Sequence, residues 1–192
     1  MYSLIIDSAT KILYISLIKD EKLLDGIYLE GRLDHAKNIV YKIDEILNKN
    51  NITTSNLGEV IVGIGPGSYT GVRMGVAVGK MLAVFMNIKL YTISTLKLMS
   101  SGYKDIALVK IDARRGNSFA CIIDNINDKY ILDEGMYENT FLEENKYNIV
   151  VSDENYKVDY KTILKDKKLV ENPHLLVPNY LRETEAERNL HD

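Results

Sequence analysis

The stretch YSLIID (Tyr2–Asp7) is an apolar run that ends in an aspartate, and IALVKID (residues 106–112) repeats this pattern in the second half of the chain. Each run opens a group of three strand-like segments joined by short polar turns, which is typical of antiparallel hairpins. The apolar spacing then changes to that of a helix, and a further strand and helix follow. Because internal repetition describes a whole architecture, the sequence predicts two successive α/β lobes.

The boundary between the lobes is predicted at residues 101–104. We assign residues 1–102 to an N-terminal lobe and residues 103–192 to a shorter C-terminal lobe with a charged tail. The helices of the first lobe are predicted over residues 33–49 and 71–86. Residues 165–192 are expected to lie at the periphery, with the lysines of residues 165–168 on a solvated surface.

Composition narrows the class of protein. The chain has 192 residues, of which 46% are hydrophobic and 27% are charged, as in ordinary globular proteins. A net charge of −3 argues against a freestanding nucleic-acid binder. The one cysteine, Cys121, forms neither an internal disulfide nor a cysteine zinc cluster. With no signal-peptide pattern and no long apolar span, we expect a cytoplasmic protein without a membrane segment.

A glycine-rich loop, GPGSYTG (residues 65–71), lies between a predicted strand and a predicted helix. It lacks the Gly-Lys-Ser/Thr ending of a P-loop and has one residue too many for the dinucleotide fingerprint. Ser68 or Thr70 can cap the helix, and free N–H groups at a helix start attract anions. Phosphate binding and a tight strand-to-helix turn therefore both remain open.

The helix after this loop carries a stripe of small residues, Gly71, Gly75, Gly79 and Ala83, spaced by four. An interior glycine costs about 1 kcal/mol relative to alanine, so the stripe predicts unusually close packing. Packing within the chain and packing against a partner protein are equally compatible with it. Arg73 is unfavourably placed in the first turn of a helix. The default interpretation is a solvated arginine, and the alternatives are a contact with an anionic ligand or with an acidic partner surface.

The stretch GPGSYTGVR (residues 65–73) resembles GPGSFTG(L/V)R, the signature of the bacterial TsaB (YeaZ) family. Shorter matches occur in family order across nearly the whole chain. They are Asp7–Thr10, His35, Ser94–Leu96, Ile111–Gly116 and Pro178–Arg182.

The resemblance implies an actin/hexokinase-like (ASKHA) α/β fold with two ribonuclease-H-like lobes, the second one short. It also implies a role in installing threonylcarbamoyl on adenosine 37 of tRNA, as a non-catalytic scaffold of the metal-bearing paralogue TsaD. The small ATPase TsaE joins that assembly, and the partners hold most of the tRNA. The heterodimer would use N-lobe helices, and a homodimer through the same faces is plausible when the partner is absent. The interface residues implied are His35, Gly71, Arg73, Gly75, Gly79 and Ala83.

The histidines and serines of the chain do not form a recognisable catalytic motif. His35, His174 and His191 lack the His-x-x-x-His spacing with which the paralogue binds metal, and no Gly-x-Ser-x-Gly elbow occurs. We therefore predict no catalytic residue, no metal site and no required cofactor.

ATP users of this fold class begin each lobe with an aspartate and small residues that wrap phosphates. Here Arg114 and Arg115 replace glycines in the second lobe. Weak ATP or ADP binding remains open, and the alternative function is an ATP-dependent phosphotransferase or ATPase of the sugar-kinase fold. The candidate phosphate-binding residues are Asp7, Ser8, Thr10, Gly65, Gly67, Ser68, Thr70 and Asp112. For Asp7 and Asp112 two interpretations are open, as turn formers at the strand ends, which we favour, or as magnesium ligands.

Overall fold

The fold contains two sheets, and the four strands of the second follow the same order as four strands of the first. In this computed structural model the described part of the chain comprises residues 1–31 and 35–181, with the side chains of residues 35–37 excepted. The first five strands are β1 (Tyr2–Asp7), β2 (Ile12–Lys19), β3 (Lys22–Glu30), β4 (Leu57–Gly63) and β5 (Lys89–Ile93). The second five are β6 (Ile106–Arg114), β7 (Asn117–Asp124), β8 (Lys129–Glu138), β9 (Ile149–Val151) and β10 (Lys168–Leu169).

The first sheet has the order β10-β5-β4-β1-β2-β3, in which β1, β4 and β5 are parallel and the other pairs are antiparallel. The second has the order β8-β7-β6-β9, with β6 parallel to β9. The second sheet therefore repeats the first four strands of the first sheet, and within residues 1–31 and 35–181 it has no counterpart of β5. The predicted repeat and the short second lobe are confirmed, while the boundary at residues 102 and 103 stays a prediction.

Five helices cover the sheets. They are α1 (His35–Lys49), α2 (Tyr69–Met86), α3 (Thr95–Ser100), α4 (Asn139–Glu143) and α5 (Tyr160–Asp166). Two short 3-10 turns occupy Thr54–Asn56 and Pro173–Leu175. Ser68 caps α2, since its Oγ accepts a hydrogen bond from the Gly71 N–H at 3.4 Å.

Helices cover the first sheet on both faces. Because side chains alternate along each strand, successive residues of β1 contact helices on opposite faces. Leu4 and Ile6 of β1 face α1 and α2, whereas Ile5 faces α3 and α5. This double cover explains why β1 and β4 are apolar on both faces rather than alternating in polarity.

The chain returns to the first sheet after completing the second. Strand β10 pairs with β5, and Lys167, next to it, forms a buried ion pair with Glu59 of β4. The expectation that residues 165–168 form a solvated cluster at the periphery is therefore wrong for Lys167. A two-residue strand and one buried pair give no periodic signal in the sequence.

Candidate functional site

Asp7, the first candidate phosphate or magnesium ligand, lies at the end of β1 with none of its surface exposed. The Thr95 hydroxyl donates to its Oδ2 at 2.6 Å, and the Ala9 N–H donates to its Oδ1 at 3.0 Å. Burial raises the pKa of the carboxyl from 3.8 to about 6, and the two hydrogen bonds partly offset this rise. Asp7 is thus an internal residue whose polar atoms are satisfied by the protein itself.

Two residues that support Asp7 were not singled out from the sequence. Gly63 is required because a Cβ there would lie 1.8 Å from the Asp7 Oδ2. The Thr95 hydroxyl also accepts from the Gly65 N–H at 3.2 Å and so ties the carboxyl to the glycine loop. In the sequence Thr95 stands out only as part of the family match at Ser94–Leu96, and that match does not reveal a bond to a residue 88 positions away.

The glycine loop packs directly against the turn that follows Asp7. The Ser68 N–H donates to the Ala9 carbonyl at 2.7 Å, and the Ser8 hydroxyl donates to the Gly71 carbonyl at 2.8 Å. A Cβ at Gly67 would lie 2.2 Å from the Ala9 carbonyl oxygen. The predicted phosphate loop and the aspartate turn are brought together, but the space between them is filled by the chain.

The C-terminal segment covers the other side of the loop. The Asn179 N–H donates to the Ile64 carbonyl at 2.8 Å. A Cβ at Gly65 would lie 2.7 Å from the Asn179 carbonyl oxygen. The glycine at residue 65 therefore admits the protein's own backbone, which favours the tight-turn interpretation over phosphate binding.

Thr10 and Thr70 complete the predicted set in the first lobe. The Thr10 Oγ1 accepts from the Ile12 N–H at 3.0 Å, within its own turn. Thr70 lies exposed in the first turn of α2. Thr10 thus supports the turn after Asp7, and Thr70 faces solvent at the start of α2.

Asp112, the second candidate aspartate, differs from Asp7 in being exposed. Its Oδ1 accepts from the Arg114 N–H at 2.8 Å, and the hairpin tip continues with positive φ at Arg114, Arg115 and Gly116 (67°, 53° and 77°). Asp112 therefore stabilises a tight β6–β7 turn, in agreement with its interpretation as a turn former.

A cavity of 490 Å³ lies between the two sheets, behind Asn179. Its lining includes four carboxylates and two lysines: Asp128, Asp133, Glu134, Asp166, Lys97 and Lys168. Lys97 is nearly buried and pairs with Asp128 and with Asp166. An excess of carboxylates disfavours phosphate groups in this space.

No metal centre is formed in the part of the chain that the structure describes, since no three His, Cys, Asp or Glu side chains lie close enough together to hold an ion. His174 lies in the second 3-10 turn. His35 begins α1, but its side chain lies outside the described part, as do His191 and Arg182.

The stripe of small residues on α2 is buried within the chain. A Cβ at Gly75 would lie 2.7 Å from the Ser8 Oγ, and one at Gly79 would lie 2.3 Å from the Val62 Cγ1. Gly71 and Ala83 are buried on the same side. The assignment of these four residues to a partner surface is corrected: the stripe allows α2 to approach β1 and β4.

The opposite side of α2 is exposed and largely apolar, and α1, which contacts α2, exposes two further apolar side chains. We call this surface the helical face. It comprises Val40 and Tyr41 of α1 and Tyr69, Arg73, Ala77, Met81, Val84 and Phe85 of α2. Phe85 is 76% exposed and Tyr41 is 63% exposed. Of the predicted interface residues with described side chains, only Arg73 lies on the helical face. The sequence did give a signal for the residues that were missed, because α2 carries apolar residues on all sides rather than on one face.

Comparison with known proteins assigns the chain to a family. A family model described as "TsaD: tRNA N6-adenosine threonylcarbamoyltransferase" matches residues 32–139, more than half of the chain. The chain belongs to this family.

Curated relatives in the family carry the name TsaB. The chain is 29% identical over 171 residues to the "tRNA threonylcarbamoyladenosine biosynthesis protein TsaB" of Bacillus subtilis, covering 87% of this chain and 67% of that protein. It is 32% identical over 124 residues to the protein of the same name from Escherichia coli, covering 62% and 53%. The chain thus spans between half and two thirds of these TsaB proteins. The resemblance of residues 65–73 to the TsaB signature is confirmed.

A solved structure confirms the fold. "YeaZ from Pseudomonas aeruginosa" superposes with a TM-score of 0.76 at 16% identity, covering 94% of this chain and 99% of that chain. The actin/hexokinase-like fold with two ribonuclease-H-like lobes is therefore the fold of this TsaB-family chain. No helix in the described residues is long and apolar enough to cross a membrane.

Proposed function

We propose that this chain is a non-catalytic scaffold of the tRNA N6-threonylcarbamoyladenosine transferase, and that it forms a heterodimer with the metal-bearing TsaD paralogue. The observation that carries this proposal is the helical face. Contiguous apolar surface is uncommon on soluble monomers and marks interaction sites. Arg73 is the only charged residue in this face, which suits a largely apolar interface with one acidic contact.

The filled phosphate region supports a non-catalytic role. A nucleotide would have to displace Ser8, Ala9 and Asn179 from the glycine loop, and it would meet carboxylates in the cavity behind them. We therefore propose that the chain requires no cofactor and binds ATP or ADP only weakly. The alternative function, an ATP-dependent phosphotransferase or ATPase, gains no support, because the chain itself fills the predicted phosphate-binding region.

The other proposed partners are those that the resemblance to the TsaB family implies. We propose that TsaE joins the assembly and that the partner subunits hold most of the tRNA, because the chain carries a net charge of −3. In the absence of TsaD, two copies of the chain are expected to pair through the helical face, since a two-fold axis lets one apolar patch cover its equal.

The test is the affinity of the chain for its cognate TsaD paralogue, measured by titration calorimetry. Phe85→Asp places a charge at the most exposed apolar residue of the helical face and should raise the dissociation constant at least about tenfold, or roughly 1.4 kcal/mol. Ile126→Asp is the matched control, because Ile126 is 67% exposed on the β7–β8 hairpin, away from this face.

Each chain is also omitted in turn from a threonylcarbamoyl transfer assay. We expect no transfer by this chain alone and reduced transfer by the paralogue alone. Transfer by this chain in isolation contradicts the scaffold role. Equal affinities for Phe85→Asp and Ile126→Asp contradict the use of the helical face.

A further inference from the structure

The C-terminal segment, residues 170–181, is fixed along the first lobe by backbone hydrogen bonds. The Val170 N–H donates to the Leu90 carbonyl at 2.9 Å. The Lys80 Nζ of α2 donates to the carbonyls of His174 and Leu176, both at 3.1 Å. The segment thus runs beside α2 to its first turn.

Tyr180, near the end of this segment, stacks on Tyr69, the first residue of α2. The ring centroids are 4.8 Å apart and the planes are inclined by 29°. Tyr69 is 47% exposed, so without the stack its side chain would be free to change rotamer. The neighbouring Leu181 packs against the core of the second sheet, which anchors Tyr180 from the other side.

Tyr69 in turn holds Arg73, one helical turn further along α2. The Arg73 Nη1 donates to the Tyr69 hydroxyl at 2.6 Å, and the guanidinium carbon lies 5.2 Å from the ring centroid. Across residues 1–31 and 38–181, no carboxylate lies within ion-pair distance of Arg73. Among the described residues the guanidinium is therefore oriented by a neutral ring, and none of their carboxylates competes with one from a partner.

We propose that Tyr180 is a positioning residue for Arg73, and that through Tyr69 it fixes the guanidinium before the partner subunit presents a carboxylate to the helical face. This inference rests on the heterodimer proposed above. An arginine that is already ordered loses less rotamer freedom on binding, so its ion pair contributes more to affinity. The C-terminal segment thereby contributes to partner recognition without contacting the partner.

The test is a double-mutant cycle on affinity for the TsaD paralogue. Tyr180→Ala removes one aromatic stack and should weaken binding about two- to tenfold. Tyr180→Phe keeps the stacked ring and should retain the wild-type affinity. Val177→Ala is the matched control, because Val177 lies in the same segment and is 72% exposed.

The decisive measurement is Tyr180→Ala in the background of Arg73→Ala. If Tyr180 acts through Arg73, it should have no further effect there, and thermal unfolding should show that all variants remain folded. An equal loss in both backgrounds means that Tyr180 contacts the partner itself or supports the fold in general, and overturns the inference. If wild-type protein binds the paralogue but Tyr180→Ala leaves the affinity unchanged, this inference fails alone. If wild-type protein does not bind, the proposed function fails as well.

Discussion

The carboxyl of Asp7 is the clearest example of a residue whose sequence pattern and environment point in different directions. Its position after an apolar strand is typical of a phosphate or magnesium ligand in ATP users of this fold. In the structure, however, it is fully buried and bonded to Thr95 and Ala9. A buried carboxyl without a cationic partner is more stable as the neutral acid, and its raised pKa of about 6 reflects this.

The stability of the protein should therefore depend on pH through Asp7. In the unfolded chain the carboxyl ionises near pH 3.8, whereas in the folded chain it ionises near pH 6. Between these values the unfolded state releases the proton first, so stability falls as pH rises and the loss is complete above pH 6. The difference in pKa corresponds to about 3 kcal/mol.

Asp7→Asn removes this cost while keeping the size of the side chain. We expect the substitution to raise the free energy of unfolding by about 1–3 kcal/mol at pH 7.5 and to change it little at pH 4. Urea unfolding at the two pH values measures both quantities. Asp112→Asn makes the same substitution at an exposed aspartate and serves as the control. Equal destabilisation by Asp7→Asn at both pH values would show that the pKa of this carboxyl is not raised by folding.

Helix α2 shows what periodicity does and does not reveal about an element. The spacing of four correctly identified residues that share one side of the helix, and the glycine cost correctly predicted close packing. The identity of the packing partner depends on Ser8 and Val62, which are distant in sequence. For this reason the stripe was compatible with a partner protein until the structure placed it against the sheet.

Gly79 should consequently affect folding rather than partner binding. An added Cβ would lie 2.3 Å from the Val62 Cγ1, and neighbouring core side chains leave it little room to move. Overpacking of this kind costs about 1–3 kcal/mol and outweighs the gain of about 1 kcal/mol in helix propensity. Thermal unfolding of Gly79→Ala should therefore show a lower midpoint, with unchanged affinity for the paralogue in the folded fraction.

The control for Gly79→Ala is Gly26→Ala on β3. There the added Cβ would lie 3.7 Å from the Leu23 Cδ1, an ordinary contact. Gly26→Ala should leave the unfolding midpoint nearly unchanged. A higher midpoint for Gly79→Ala would mean that the glycine is not required for packing.

At the scale of the whole molecule, the sequence predicted the repeat of strands but not the return of the chain. The repeat can be recognised from local sequence patterns, namely the apolar runs that end in Asp7 and Asp112. The return depends on β10, which has two residues, and on the contact of Lys167 with Glu59, 108 positions earlier. Short strands and single long-range pairs leave no periodicity to detect, so this part of the fold required the structure.

The Lys167–Glu59 pair should therefore stabilise the molecule as a whole. The Glu59 side chain is 2% exposed and also accepts from the Ser3 hydroxyl at 2.7 Å, so removing the lysine leaves a buried negative charge. We expect Lys167→Ala to lower the free energy of unfolding by roughly 3 kcal/mol, or about 6–12 °C in midpoint. Lys165→Ala is the matched control, because Lys165 is 71% exposed and its pair with Asp128 should contribute less than about 1 kcal/mol. The combined Glu59→Gln and Lys167→Met variant, which removes both charges, should recover most of the loss. Equal midpoints for the two single lysine variants would show that the Lys167–Glu59 pair contributes little to holding the returning chain.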